Sequence, residues 1–143
     1  MGAYSELYVN DIVRRQGKVF LNIRNILSGV DEKWFIETYM KSRLRLLLDE
    51  ANPKFANMPS IELIYWFINE EQRGKYKYGD EWGGFLPQWA GMIYSYYQWK
   101  YNVPSYKLID LLPLSEIERI FPALHQAGLR AAVEKIHDEI LAT

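Results

Sequence analysis

The chain has 143 residues, 49% of them hydrophobic and 24% charged, with a formal net charge of −1 and no cysteine. Those totals fit one folded domain with a continuous core, and they exclude disulfide scaffolds, thiol nucleophiles and thiolate zinc sites. The charge is also spread evenly along the chain, which leaves no global field to recruit nucleic acid or an anionic membrane.

In chain order, the first helical pattern runs from about Ser5 to Ser28, with Val9, Ile12, Val13, Phe20, Ile23 and Leu27 on one face. Ser5 suits the N-cap and Gly29 the end. Gly17 sits in the middle, where it costs about 1 kcal/mol relative to alanine and invites a break. Asp31 then caps a second helix expected to continue to Glu50, before Asn52-Pro53. At 100° per residue, its apolar arc of Phe35, Ile36, Tyr39, Met40, Leu44, Leu46 and Leu47 takes in Arg43 and leaves Lys41 and Arg45 outside. A core-facing Arg43 would need a partner such as Glu62, Glu70 or Glu71; otherwise its head group reaches back to water.

A third helix begins near Pro59-Ser60 and ends by Gly74, with Ile61, Ile64, Tyr65, Phe67 and Ile68 as its apolar face and Trp66 on the outer side. The stretch GKYKYGDEWGG, residues 74–84, carries four glycines and reads as a loop. A long helix follows to Tyr101, and short ones fit Ser105–Leu112 and Ser115–Phe121, each opened by serine and punctuated by proline. Leu129, Ala132, Val133, Ile136 and Ile140 mark a last helix, about Leu129–Leu141. The expected architecture is all-α: a single compact bundle of five to seven helices spanning 1–143, with the helices at 60–74 and 85–101 in its centre.

Residues 75–102 hold ten of the chain's 22 aromatic side chains. On a helical wheel Phe85, Leu86, Trp89, Met92, Ile93, Tyr96 and Tyr97 share one face and suit a core. Tyr94 and Tyr101 on one flank and Trp99 on the other exceed what a core stripe needs, so with Trp66 they are the expected partner-binding residues. The back strip at Gly91 and Ser95 either faces water or lets another backbone come close.

The sequence WAGMIYSYYQWKYNVPSYKLIDLLPLSEIERIFPALH resembles, over residues 85–140, a group of small all-helical bacterial proteins encoded near toxin–antitoxin-type genes. The pattern is carried by Trp89, Gly91, Tyr94, Tyr96, Ser105, Leu108, Pro113 and His125. Two departures fall near His125: Gln126 stands where the group has threonine, and Ala127-Gly128 where it has a capping Asp-Pro. The resemblance implies a regulatory or partner-binding role more than an enzyme.

Chemistry-bearing sets are sparse. His125 and His137 are the only histidines, and no nucleophile elbow, phosphate loop or dinucleotide fingerprint occurs. His125, between Pro122 and Gly128, reads as a hydrogen-bonder at a helix junction. Glu134 and His137 have the spacing of a di-iron ligand pair, but one such pair is half of what that chemistry needs, so a carboxylate–imidazole contact at the surface is expected. No metal or cofactor is expected. SYKLIDLLPLSEIERIF resembles a helix-turn-helix, yet its second unit sets Glu116 and Glu118 against Arg119 alone, which disfavours a DNA-reading role.

The reading that results is a non-catalytic, cytoplasmic protein-binding or regulatory module, plausibly antitoxin-like, whose partner is another protein. The chain lacks the basic-then-apolar start of a secretory signal, and its longest apolar run, Leu63–Ile68, is too short to span a bilayer. The alternatives are a helix-turn-helix-like DNA-binding regulator and a small-molecule binder or enzyme whose aromatic pocket has His125, Asp80 or Glu81 at its mouth. Self-association is left open.

Overall fold

The computed structural model describes residues 2–141, and among these it contains nine α-helices and no strand. They are α1 (Glu6–Ile26), α2 (Glu32–Met40), α3 (Arg43–Asp49), α4 (Pro53–Ala56), α5 (Ser60–Trp66), α6 (Leu86–Tyr101), α7 (Ser105–Leu111), α8 (Leu114–Leu124) and α9 (Leu129–Ile136). π-helical turns extend α5 through Phe67–Glu71 and α9 through His137–Leu141. All nine helices place side chains in or against one hydrophobic core, so the chain builds an all-α fold with more and shorter helices than the periodicity alone implies.

Helix α6 is central, as expected, but its main partner is α1 and not the helix that begins at Ser60. Helices α1 and α6 run antiparallel: Ala3 meets Trp99 at one end, and Arg24 meets Trp82 just ahead of α6 at the other. Two glycines let their backbones touch. A Cβ on Gly91 would stand 2.5 Å from the carbonyl oxygen of Gln16, and one on Gly17 would stand 2.7 Å from Met92. Gly17 therefore does not break α1; its missing side chain is where α6 crosses. The back strip at Gly91 and Ser95 is buried against this neighbour instead of facing water.

The expected Asp31–Glu50 helix breaks at Lys41-Ser42. Ser42 accepts a hydrogen bond from the Arg45 N–H and donates to the Tyr39 carbonyl, so it ends one helix and caps the next. Glu71 reaches in from the π turn after α5, and its carboxylate takes the N–H groups of Arg43 at 3.0 Å and Leu44 at 2.7 Å. A π turn holds more residues than an α turn, which changes where Glu71 points. The break resets the helical phase. Arg43 and Leu46 become exposed, while Arg45 goes to the interior with 1% exposure.

Smaller differences have similar causes. Pro122 does not stop α8, which continues to Leu124. Phe85, Ile61 and Tyr65, placed on apolar faces by their spacing, lie exposed because no further helix covers those faces. The loop after α5 is tied down as a strap. Asp31 N–H donates to the Lys77 carbonyl, Gly79 N–H to that of Gly29, and Trp82 N–H to the buried carboxylate of Glu32. Trp82 is buried, and its indole N–H reaches Glu118 on α8.

Candidate interaction site

Helix α6 sorts its aromatic side chains along its length. In the first half, Trp89 is buried edge-on against Phe121 of α8 and belongs to the core. Tyr94 is completely buried, and its hydroxyl donates to the Leu112 carbonyl at 2.6 Å. Burial raises its ionisation well above the usual phenol value. Tyr94 is therefore not a contact residue, as its flank position suggested: α7 and the turn after it form a second layer over that flank.

The last turns of α6 differ. Trp99 is half-buried; its indole N–H donates to the Tyr4 carbonyl at 2.7 Å, and its own carbonyl accepts from the Ala3 N–H at 2.8 Å. Tyr96 packs edge-on against it, with ring centroids 5.7 Å apart. Tyr101, also half-buried, stacks face to face on His137 at 3.8 Å. Tyr97, beneath them, shares a 2.8 Å hydrogen bond with His137 Nδ1. Burial pushes the Tyr97 hydroxyl up to about 12, so it stays protonated.

The fourth expected contact residue, Trp66, sits apart on α5, half-buried against Phe55 at 4.9 Å. The four residues thus do not form one surface. His125 is exposed, stacks on Phe121, and donates from Nδ1 to the Phe121 carbonyl at 2.7 Å, which makes it part of the end of α8. The expected Glu134–His137 contact is not formed. Glu134 instead binds Lys100 at 2.8 Å and lies 3.7 Å from Arg130, and the Lys100 hydrogen bond holds its carboxyl below the ordinary value.

Around Trp99 lies a surface concavity of about 640 Å³, walled by the segment Gly2–Glu6 on one side and by Tyr96, Trp99, Lys100 and Arg130 on the other. It combines flat aromatic faces with two cations that share the single carboxylate of Glu134. Spacing pointed to Trp99. It gave no sign of Tyr4, Tyr96, Lys100 or Arg130, which reach the groove only once the N-terminal segment and α9 pack against α6.

Beneath the groove is a buried polar cluster. Arg45 donates to Gln16 at 2.7 Å, to Ser105 at 3.0 Å and to Asp49 at 3.3 Å. Ser105 gives both its hydroxyl and its backbone N–H to Asp49, at 2.6 and 2.7 Å, and Tyr39 donates to Gln16 at 2.7 Å. The set joins α1, α2, α3 and α7, while Gln98 ties α6 to the Asp49 carbonyl. Desolvation raises the Asp49 carboxyl despite the Arg45 charge and the Ser105 hydrogen bonds. It also pushes the Tyr39 hydroxyl up to about 12. A buried polar network of this kind, in which Gln16 Oε1 accepts twice while its Nε2 finds no partner, ties these helices to one another.

Other expected arrangements fare differently. In α8, Ile117, Ile120 and Leu124 are spent on the core, and Arg119, which would have to reach DNA, is held by Glu116 at 2.7 Å. Asp80 and Glu81 line a separate hollow with Asp31, Lys33 and Trp82, which includes neither His125 nor the α6 aromatics. Among the described residues, no three carboxylate or imidazole groups gather as a metal site, and no helix is long and apolar enough to cross a membrane. Set against protein-family models, curated proteins and solved structures, the chain finds no match in any of the three.

Proposed function

We propose that this chain is a non-catalytic protein-binding module of antitoxin-like or regulatory type, acting in the cytoplasm through the groove at the C-terminal end of α6. The observation that carries the reading is the groove's make-up. Tyr96 and Trp99 offer broad, half-buried aromatic faces, and Lys100 and Arg130 stand at its edge. Aromatic bodies with polar tips, flanked by arginine, are the side chains that dominate the energetics of protein–protein contacts. The resemblance to proteins encoded near toxin–antitoxin-type genes supports the same assignment.

The test is capture of a stoichiometric protein from native cells by the tagged chain, compared with a Lys100→Glu/Arg130→Glu variant whose circular dichroism matches the parent. Loss of one defined protein with the variant is the expected result. Undiminished capture by the variant, or no protein captured by the parent, counts against the reading.

A further inference from the structure

The concavity beside Trp99 is lined by fixed aromatic rings. Tyr96 and Tyr4 both pack against the indole, with centroids 5.7 and 6.4 Å from it. The indole N–H is bonded to the Tyr4 carbonyl at 2.7 Å, which holds the ring in one plane before anything binds. A surface ordered in advance loses little entropy when a second ring is laid on it.

The two cations of the lining differ in how far their charge is already matched. Lys100 is 22% exposed and donates to Glu134 at 2.8 Å. Arg130 is 73% exposed and comes no closer to Glu134 than 3.7 Å, beyond hydrogen-bond distance. Its planar fork of N–H donors therefore faces water at the rim of the concavity. Glu6 stands on the facing wall, exposed, where it repels negative charge. The two walls give the site a direction: an anionic group is favoured at Arg130 and disfavoured at Glu6.

A fixed indole and an open guanidinium lining one hollow select for two features in one molecule. A planar ring gains by stacking on Trp99, and a carboxylate or phosphate meets the guanidinium fork with two parallel hydrogen bonds. Either contact alone is weak, since an exposed ion pair contributes little and a lone ring buries little area. The volume of about 640 Å³ is that of a small-ligand site. We propose that the concavity binds a small aromatic anion, a planar ring carrying a carboxylate or a phosphate, with its ring on Trp99 and its acidic group on Arg130. This goes beyond the protein-binding reading and does not rest on it.

The test is an NMR titration of the full chain, read at the Trp99 indole N–H and the Arg130 Nε–H. Indole-3-acetate supplies ring and carboxylate, and indole-3-acetamide supplies the same ring without the charge. AMP and adenosine form the matching pair for a phosphate. One of the two acids should shift both signals with a dissociation constant on the order of 0.1–1 mM, and its neutral counterpart should bind at least about fivefold more weakly. Which acid binds identifies the anionic group. Arg130→Gln should abolish the preference for the acid, whereas Arg130→Lys should keep only part of it, because an ammonium lacks the fork. Glu6→Gln should tighten binding of the acid roughly twofold by removing the facing negative charge. Both positions are exposed, so these variants leave the core untouched. The proposal is overturned if neither acid moves the two signals, if acid and neutral compound bind equally, or if folded Arg130→Gln retains the preference. Capture of a cellular protein with no binding of either acid rejects this inference alone. Binding of an acid with no captured protein rejects the protein-binding reading alone.

Discussion

The two halves of α6 use the same residue types for different ends. In the first half, Trp89 and Tyr94 are covered from outside, by α8 in one case and by α7 with its following turn in the other, and Gly91 lies against α1. In the last turns, Trp99 and Tyr101 are each covered by one thin layer, the Gly2–Ser5 segment and the end of α9. An aromatic residue becomes core or contact surface according to how many layers the rest of the chain folds over it, and helical phase does not report that number.

Substitutions along α6 sharpen the contrast. Trp89→Ala should cost about 4 kcal/mol in urea unfolding, from lost burial and a cavity against Phe121. Gly91→Ala follows at about 3 kcal/mol, because the added methyl meets the α1 backbone, which cannot step aside as a side chain would. Tyr94→Phe should cost about 1.5 kcal/mol, since the Leu112 carbonyl loses its donor in a dry setting, whereas Tyr101→Phe should stay within about 0.5 kcal/mol. Equal costs for the two tyrosines would break the comparison.

The smallest expected effect is on pH dependence. Burial raises the carboxyls of Glu32 and Asp49 above their ordinary values, so the folded chain binds more protons than the unfolded one between the ordinary and the raised values. Their contribution to stability is complete below that window and is lost as pH rises through it. Glu116 and Glu134 lie below their ordinary value because of Arg119 and Lys100, so their contribution is lost instead as pH falls through their folded values. Thermal melts of Glu32→Gln should show a flatter pH profile above the ordinary carboxylate range than the parent; an unchanged profile would assign the slope elsewhere.

Much of the helical framework was legible in the sequence because it rests on local chemistry. The Ser5 and Asp31 caps, the glycine-rich strap and the helix starting at Ser105 all lie where their residues imply. What was hidden depends on distant partners. Glu71 caps α3 from a position 28 residues away in sequence, and the local sign of the break in the Asp31–Glu50 pattern is a single serine, Ser42. The same missing contact made Arg43 seem the inward charge when Arg45 is. For the site, the surplus of aromatics in α6 pointed to Trp99, which lines the concavity. The layer over Tyr94 comes from α7 and the turn after it, and the wall beside Trp99 from residues 2–5, and the local patterns of both show nothing of where they pack.

The Arg45 cluster also bears on how fast the chain folds and unfolds. Its bonds link residues 29 and 60 positions apart, and Ser105 meets Asp49 across 56, so it closes only after α1, α3 and α7 have all assembled. Contacts that join distant parts of the chain carry a high entropic cost before they stabilise anything, and they form late. Arg45→Ala should therefore leave the refolding rate in stopped-flow experiments nearly unchanged while speeding unfolding more than tenfold. The polar cluster under the groove then acts as a kinetic lock, setting how long the native state lasts and not how quickly it is reached.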